Sequence, residues 1–161
     1  HAAIWVAMAF AALKDHEQAW KLVSCISPVH HGKTHHDVLQ YRVEPYVIAS
    51  DIYTAPPYSG RGGWTWYSGS AGWMYTLILE SLLGLEIHGD HMTFNPCVPD
   101  NWRSYRMYVR YQSSRYHISV IKPGPGSAVL SVSVEGKIQS DKTVHLVDDG
   151  GDRQVVIELG E

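Results

Sequence analysis

The stretch of residues from Gly60 to Tyr75 reads GRGGWTWYSGSAGWMY and marks the change from helices to strands along the chain. Its first half is a glycine-rich loop, and the part from Ser68 onward leads into a strong helix predicted over residues 73–83. Upstream of it, apolar residues recur with a helical period. After Gly84, the predicted end of the helix, they alternate with polar residues. The sequence therefore predicts an α+β fold, with helices in the first half of the chain and strands in the second.

Three helices are predicted upstream of this stretch. Residues 2–13 are rich in alanine and apolar nearly all round, which indicates a helix that packs on several sides. Asp15 caps a second helix that runs antiparallel to the first, so the two form a helical hairpin. The spacing of Thr34 and Asp37 predicts a capping box at the start of a third, short helix. Residues 44–51 begin with Glu-Pro and are expected to add one more helical turn.

Short strands are predicted throughout the second half, because apolar and polar residues alternate there between turn signals. About seven of them have the spacing of a small antiparallel β-sandwich. They cover residues 85–88, 91–94, 105–111, 116–122, 128–134, 143–147 and 154–159. We place the domain boundary so that residues 1–86 form the helical part and residues 87–161 form the sandwich.

Composition excludes several classes of function. The 161 residues are 45% hydrophobic and 18% charged, which is too apolar for a disordered chain. The net charge of −3 leaves no basic excess to neutralise phosphates, so we expect no nucleic-acid partner. No apolar run approaches the ~18 residues that span a bilayer. We therefore expect no membrane segment and place this piece on the cytoplasmic side, whether free or attached to an inner-membrane protein. The chain opens on His1 with no initiator Met, which indicates that it was cut from something longer.

The start of the helix at Ser68 is the clearest candidate site. The small residues Ser68, Gly69 and Ser70 leave the first backbone N–H groups accessible, and the helix dipole adds roughly half a positive charge there. Arg61, in the preceding loop, adds a cation that can bind oxyanions. The pattern favours an anion such as phosphate, although a plain serine N-cap also accounts for Ser68. The stretch is not a P-loop, because the Gly-Lys-Ser/Thr signature is missing.

Other candidates for chemistry are weaker. Ten histidines include pairs at 30–31 and 35–36, but their spacing matches no zinc pattern, so we expect no metal. His1 reads on its own as a terminus or a satisfied core residue. Glu44 and Asp51 could serve as acids in glycoside chemistry, yet each is equally a cap or a structural hydrogen-bond partner. The sequence contains no nucleophile elbow and no catalytic-triad pattern.

Two stretches are specific enough to indicate a family. Residues 43–53, VEPYVIASDIY, followed by residues 60–75, resemble the C-terminal end of glycoside hydrolase family 94. That family includes cellobiose and chitobiose phosphorylases, 1,2-β-oligoglucan phosphorylases and the C-terminal region of cyclic β-1,2-glucan synthase. Residues 27–34 look like the family's Asn-Pro-Ile-Asn-His-x-x-Thr loop, and residues 95–102 and 147–151 look closest to the synthase branch.

The resemblance implies an (α/α)6 catalytic barrel followed by a small C-terminal β-sandwich, so that residues 1–86 would be the last part of the barrel. Enzymes of the family cleave a β-glucoside with inorganic phosphate and invert the anomeric configuration. Phosphate takes the place of the water of an inverting hydrolase, and an Asp is the general acid. The implied partners are a β-glucan or β-linked glucose oligosaccharide, inorganic phosphate as a substrate, and the remainder of the same barrel, with no cofactor.

The family's phosphate site carries over to three residues of this chain. Its His matches His1, judged by the Ala-Ala that follows, and its Thr-Gly pair matches Ser68 and Gly69. Ser68 lacks the methyl group of the family's Thr but keeps the hydroxyl. Arg61 is retained as a loop residue that could support the site. The family's general-acid Asp and phosphate-binding Arg belong to regions upstream of His1. We therefore assign no catalytic residue here and expect the chain alone to be inactive.

A second hypothesis stays open beside the first. The chain could be a non-catalytic carbohydrate-binding or structural β-sandwich module with a helical leader. Six Trp and ten Tyr against two Phe suit sugar rings as well as a core, and several of the tyrosines fall in the strands between residues 105 and 116. An Asp-bearing barrel upstream of His1 would favour the enzyme.

Overall fold

The computed structural model describes residues 1–66 and 68–161, which divide into two compact units, residues 1–78 and 79–161. The first unit contains the helices α1 (Ala2–Ala12), α2 (His16–Ile26), α3 (His35–Tyr41) and α4 (Ser68–Thr76). A short 3-10 turn covers His30–Gly32, and a π-helical turn covers Leu77–Leu82. No helix among the described residues is long and apolar enough to cross a membrane.

Helices α1 and α2 form the predicted antiparallel hairpin. Asp15 caps α2 by accepting a hydrogen bond of 3.1 Å from the backbone N–H of Gln18, as the sequence predicts. The buried side of α1 is narrower than its composition suggests, because Trp5 remains 51% exposed and Val6 48% exposed. The residues of the hairpin that are buried follow helical spacing and are Ile4, Ala7, Ala11, Ala19 and Val23.

Helix α3 confirms the predicted capping box. The Thr34 hydroxyl accepts from the backbone N–H of Asp37 at 3.1 Å, and the Asp37 carboxylate accepts from the backbone N–H of Thr34 at 3.0 Å. The helix ends at Arg42, whose φ of 55° lies in the left-handed region.

The predicted helical turn over residues 44–51 is wrong. One turn bond forms, from the backbone N–H of Val47 to the carbonyl of Glu44 at 3.3 Å, and the chain then extends. The backbone N–H of Ser50 donates instead to the carbonyl of Trp64 at 2.7 Å. Because these backbone groups pair with the glycine-rich loop, they are not available to a helix.

Helix α4 begins at Ser68, earlier than the predicted start at residue 73, and residue 67 before it lies outside the described residues. Gly84 ends the segment with a φ of +72°. A Cβ at Gly84 would lie 2.1 Å from the backbone nitrogen of Pro96, so this position requires glycine both for its backbone angle and for space.

Two sheets make up the strand-rich unit. The strands are β1 (Leu85–His88), β2 (His91–Phe94), β3 (Ser104–Tyr111), β4 (Ser114–Ile121), β5 (Ala128–Val134), β6 (Lys137–Ile138), β7 (Val144–His145) and β8 (Asp152–Gly160). One sheet has the order β1-β2-β7 and the other the order β3-β4-β8-β5-β6. The seven predicted strands are present, some with shifted ends, and the one predicted over residues 143–147 is shortened to β7; β6 is a further strand that was not predicted.

The wholly antiparallel arrangement is wrong at one pair. Strand β8 enters between β4 and β5, running parallel to β4 and antiparallel to β5. The connection from β4 to β8 passes through three other strands, which gives the chain the length that a parallel pair requires. Alternation of apolar residues identifies a half-buried strand but not the direction of its neighbours.

The core of the larger sheet lies on one face. Met107, Ile118, Val155 and Ile157 are all buried on that side. The structure confirms the α+β class, with four α-helices and two sheets among the described residues. The barrel origin of the helices, the sandwich and the boundary at residue 86 stay predictions.

Candidate functional site

The amino terminus of α4 lies beside His1. A Cβ built on Gly69 would be 2.7 Å from Nε2 of the His1 imidazole, so this ring occupies the space that a side chain at position 69 would need. Ser68 and Gly69, the first two residues of α4, are both exposed. The structure therefore brings together two of the predicted phosphate-binding residues, His1 and Gly69, from distant parts of the sequence, and Ser68 adjoins them.

Aromatic contacts set the position of His1. Its ring lies 6.2 Å from that of Trp5, one helical turn along α1, and Trp5 meets the edge of Trp73 of α4 at 5.6 Å. The carbonyl of His1 accepts a 3.0 Å hydrogen bond from the backbone N–H of Trp5, which makes His1 the residue that precedes the first turn of α1. The starts of α1 and α4 are thus held next to each other.

Ser70 adds a buried hydroxyl to this helix start. Its side chain is 1% exposed, and its Oγ has no hydrogen-bond partner among the described residues. A buried polar group without a partner is costly, so such a group near a binding site is a candidate contact for a ligand or a water molecule. The structure places Ser70 in the first turn of α4, and nothing in the sequence indicates that its side chain is buried.

A cavity of about 220 Å³ adjoins His1 in the first unit. Its polar lining consists of His1, Tyr41, Ser50 and Asp51, and its apolar lining includes Ile4 and Ile48. The Tyr41 hydroxyl is also buried without a partner among the described residues, and burial raises its pKa. A hydroxyl, a carboxylate and an imidazole around one small cavity can bind a polar ligand.

Asp51 is held in place by its neighbours. Its carboxylate accepts from the Ser50 hydroxyl at 2.5 Å. A Cβ on Gly63 would lie 2.3 Å from Oδ1 of Asp51, so the carboxylate packs directly against the glycine-rich loop. The sequence allows Asp51 to be either an acid or a structural hydrogen-bond partner, and these contacts agree with a structural role in fixing the loop.

Arg61 lies in a different depression of the first unit. Its guanidinium carbon is 5.6 Å from the centre of the Tyr58 ring, and it lines a cavity of about 200 Å³ together with Gln40 and Arg42. No contact described in the structure joins Arg61 to His1, Ser68 or Gly69. Its support of the anion site stays a prediction.

In the first histidine pair, His30 and His31, the His31 ring contacts other parts of the protein. The His31 ring stacks on Tyr41 at 4.6 Å, and its Nε2 lies 2.7 Å from the carbonyl oxygen of Cys25. Burial lowers the pKa of His30, and the positive charges of Lys33 and His31 lower it further. In residues 1–66 and 68–161, no cluster of three or more His, Cys, Asp or Glu side chains is arranged to hold a metal ion.

The similarity to known proteins follows the same division of the chain. Residues 1–84 match the catalytic domain of the glycosyl hydrolase 94 superfamily, and residues 85–137 match the C-terminal domain of glycosyl hydrolase family 65. The cyclic β-(1,2)-glucan synthase of Rhizobium meliloti (strain 1021) is 44% identical over 134 residues, which is 83% of this chain and 5% of that protein.

Phosphorylases match at lower identity. The N,N′-diacetylchitobiose phosphorylase of Vibrio furnissii is 28% identical over 97% of this chain and 19% of its own length. The solabiose phosphorylase of Paenibacillus borealis is 24% identical over 72% of this chain and 15% of its own length. The chain thus spans a small part of each of these relatives. With more than half of its residues matched by the family's catalytic-domain model, the chain belongs to the glycosyl hydrolase 94 superfamily.

Proposed function

We propose that this chain is the C-terminal part of an inverting β-glucoside phosphorylase-type domain and forms one wall of its phosphate site. The observation that carries the proposal is the position of the His1 imidazole over Gly69, at the open start of α4. Family membership supports it, since the catalytic-domain match covers both of these residues.

The chemistry of this phosphate wall, which His1, Ser68 and Gly69 form, suits an anion. The first N–H groups of a helix lack partners within the helix, and the dipole places partial positive charge there. Exposed Ser68 can donate its hydroxyl to a phosphate oxygen, and His1 can donate from a ring nitrogen. Together these groups would orient phosphate for attack on the anomeric carbon, opposite the departing sugar.

The remaining parts of the reaction would come from the rest of the barrel. The general-acid Asp and an Arg for phosphate are expected upstream of His1, so we propose that the chain acts only as part of that barrel. Among its relatives, the protein that is 44% identical is named as a cyclic β-(1,2)-glucan synthase. We therefore propose a β-1,2-linked glucan as the sugar substrate. The strand-rich unit would be the closing β-sandwich.

The test is phosphorolysis by the intact parent enzyme. Ser68→Ala removes one hydrogen bond to a charged ligand, so we expect the KM for phosphate to rise about tenfold or more, with a small change in the KM for glucan. Ser68→Thr restores the family's residue and is expected to keep wild-type kinetics. Ser104→Ala, at an exposed serine of β3, is the matched control. An equal effect of Ser68→Ala on both substrates would contradict the phosphate role.

A non-catalytic, carbohydrate-binding role for the strand-rich unit is the second candidate. The open polar face of its larger sheet favours it and carries the inference that follows. The two functions are compatible, because they use different residues.

A further inference from the structure

The outer face of the five-stranded sheet presents a grid of planar, hydrogen-bonding side chains. Tyr108 of β3 stands directly opposite His117 of β4, which stands opposite Gln154 of β8. In the adjacent row, Arg106 stands opposite Ser119. Side chains that face each other across neighbouring strands lie on the same face of a sheet. Five polar residues from three strands therefore share one surface.

These side chains surround a groove of about 240 Å³. Arg106, Ser119 and Gln154 line it, and none of the three makes a side-chain hydrogen bond or ion pair in the described part of the chain. The hydroxyl of Tyr108 likewise has no hydrogen-bond partner among the described residues. Ile118, an aliphatic residue of the lining, is 1% exposed. The groove thus offers donors and acceptors that the protein itself does not use.

The aromatic ring at the groove, that of Tyr108, is exposed to solvent and packs against a neighbouring ring. Tyr108 is 71% exposed, and it meets the His117 ring at 5.2 Å with the two planes at 90°. His117 is fixed in turn by Asp152, whose carboxylate oxygen lies 3.2 Å from its Nε2. A ring positioned in this way loses little freedom when a ligand stacks on it.

The chemistry of the groove fits a neutral polyol. The C–H face of a pyranose stacks on an aromatic ring, while its hydroxyls pair with amide, guanidinium and hydroxyl groups. Arg106 places a guanidinium in the lining, and the Asp152 carboxylate lies beside His117. An apolar peptide would find little exposed aliphatic surface here.

We propose that the groove formed by Arg106, Tyr108, His117, Ser119 and Gln154 binds a β-linked glucan chain, at a site separate from the phosphate wall. The polyol chemistry stands on the groove alone, whereas the choice of a β-glucan rests on the proposed function. Such a site would hold the polymer that the catalytic domain processes and raise its local concentration.

The experiment titrates the ¹⁵N-labelled 161-residue chain with linear β-1,2-gluco-oligosaccharides and, separately, with dextran, an α-linked glucan. We expect amide shifts that saturate and that map to β3, β4 and β8, and no such shifts with dextran. Tyr108→Ala should weaken the Kd about tenfold, the equivalent of one aromatic contact, whereas Tyr108→Phe should stay within about twofold.

The matched control is Ile87→Ala, which shortens an exposed apolar side chain in the other sheet and should leave the Kd unchanged. Amide spectra of each variant verify the fold. Absence of saturable shifts, equal binding of dextran, or a Tyr108→Ala variant that binds as well as the wild type would overturn the proposal. A retained effect of Ser68→Ala on phosphate in the parent enzyme would then leave the proposed function standing, because that assay does not involve Tyr108.

Discussion

The Gly69→Ala variant should weaken phosphate binding without lowering the stability of the fold. The added Cβ would lie 2.7 Å from Nε2 of His1, whereas ordinary contacts begin at 3.4 Å, so the imidazole must retreat by about 0.7 Å. The atom it meets is the far end of a flexible side chain, which can move without disturbing α4. A displacement of this size stretches a normal hydrogen bond beyond its useful range. We therefore expect the KM for phosphate in the parent enzyme to rise about ten- to a hundredfold.

We expect Gly69→Ala to weaken phosphate binding while the stability of the fold rises slightly or stays the same. Gly69 has no left-handed backbone angle, and alanine is favoured over glycine in a helix by up to about 1 kcal/mol. Gly72 provides the matched control, because it lies in the same helix and a Cβ there would meet nothing within 4 Å. Gly72→Ala should raise Tm by about 2–4 °C and leave the phosphate KM unchanged.

The assays are phosphorolysis at varied phosphate in the parent enzyme and thermal unfolding of each variant. If Gly69→Ala behaves like Gly72→Ala in both assays, the contact with His1 plays no part in phosphate binding and the reasoning fails. If Gly69→Ala lowers both activity and Tm, the start of the helix is misfolded. That result would also refute the prediction that phosphate binding weakens without a loss of stability.

Two further predictions concern charges in the strand-rich unit. Lys122 is 1% exposed, and its Nζ lies 3.1 Å from Asp100. Asp100→Ala leaves the buried Lys122 charge without this partner, so we expect it to lower the free energy of unfolding by about 1–3 kcal/mol in urea unfolding. Lys122→Met removes the buried charge itself and should destabilise the fold less. Arg153 donates to Asp149 and holds the pKa of that carboxyl well below its usual range, so stability from the pair is present above the unfolded pKa and is lost as pH falls through the folded one. Arg153→Ala should return the pKa of Asp149 toward its ordinary value in a carboxyl NMR titration.

Local signals in the sequence predicted local structure well. The cap at Asp15 and the capping box at Thr34 and Asp37 depend on residues three positions apart, so the sequence contains all the information they need. The hairpin over Leu85–Phe94 was equally visible, because a Gly-Asp turn separates two alternating runs.

Contacts between residues that are distant in the sequence could not be predicted from local patterns. Residues 44–51 read as a helical turn, but the bond from Ser50 to Trp64 competes for the same backbone. The parallel pairing of β4 with β8 depends on where the chain returns, which alternation does not encode. The family resemblance pointed to His1 and Gly69, and spacing alone could not have joined two residues so far apart.

The place of β8 has a consequence for how the larger sheet assembles during synthesis. The hairpin β3–β4 and the hairpin β5–β6 emerge from the ribosome first, yet they become neighbours only through β8, which is made last of the five. Until then the inner edges of both hairpins expose unpaired N–H and C=O groups. The nascent chain therefore passes through a period in which other strands can add to these edges, and chaperone binding at this stage would protect it.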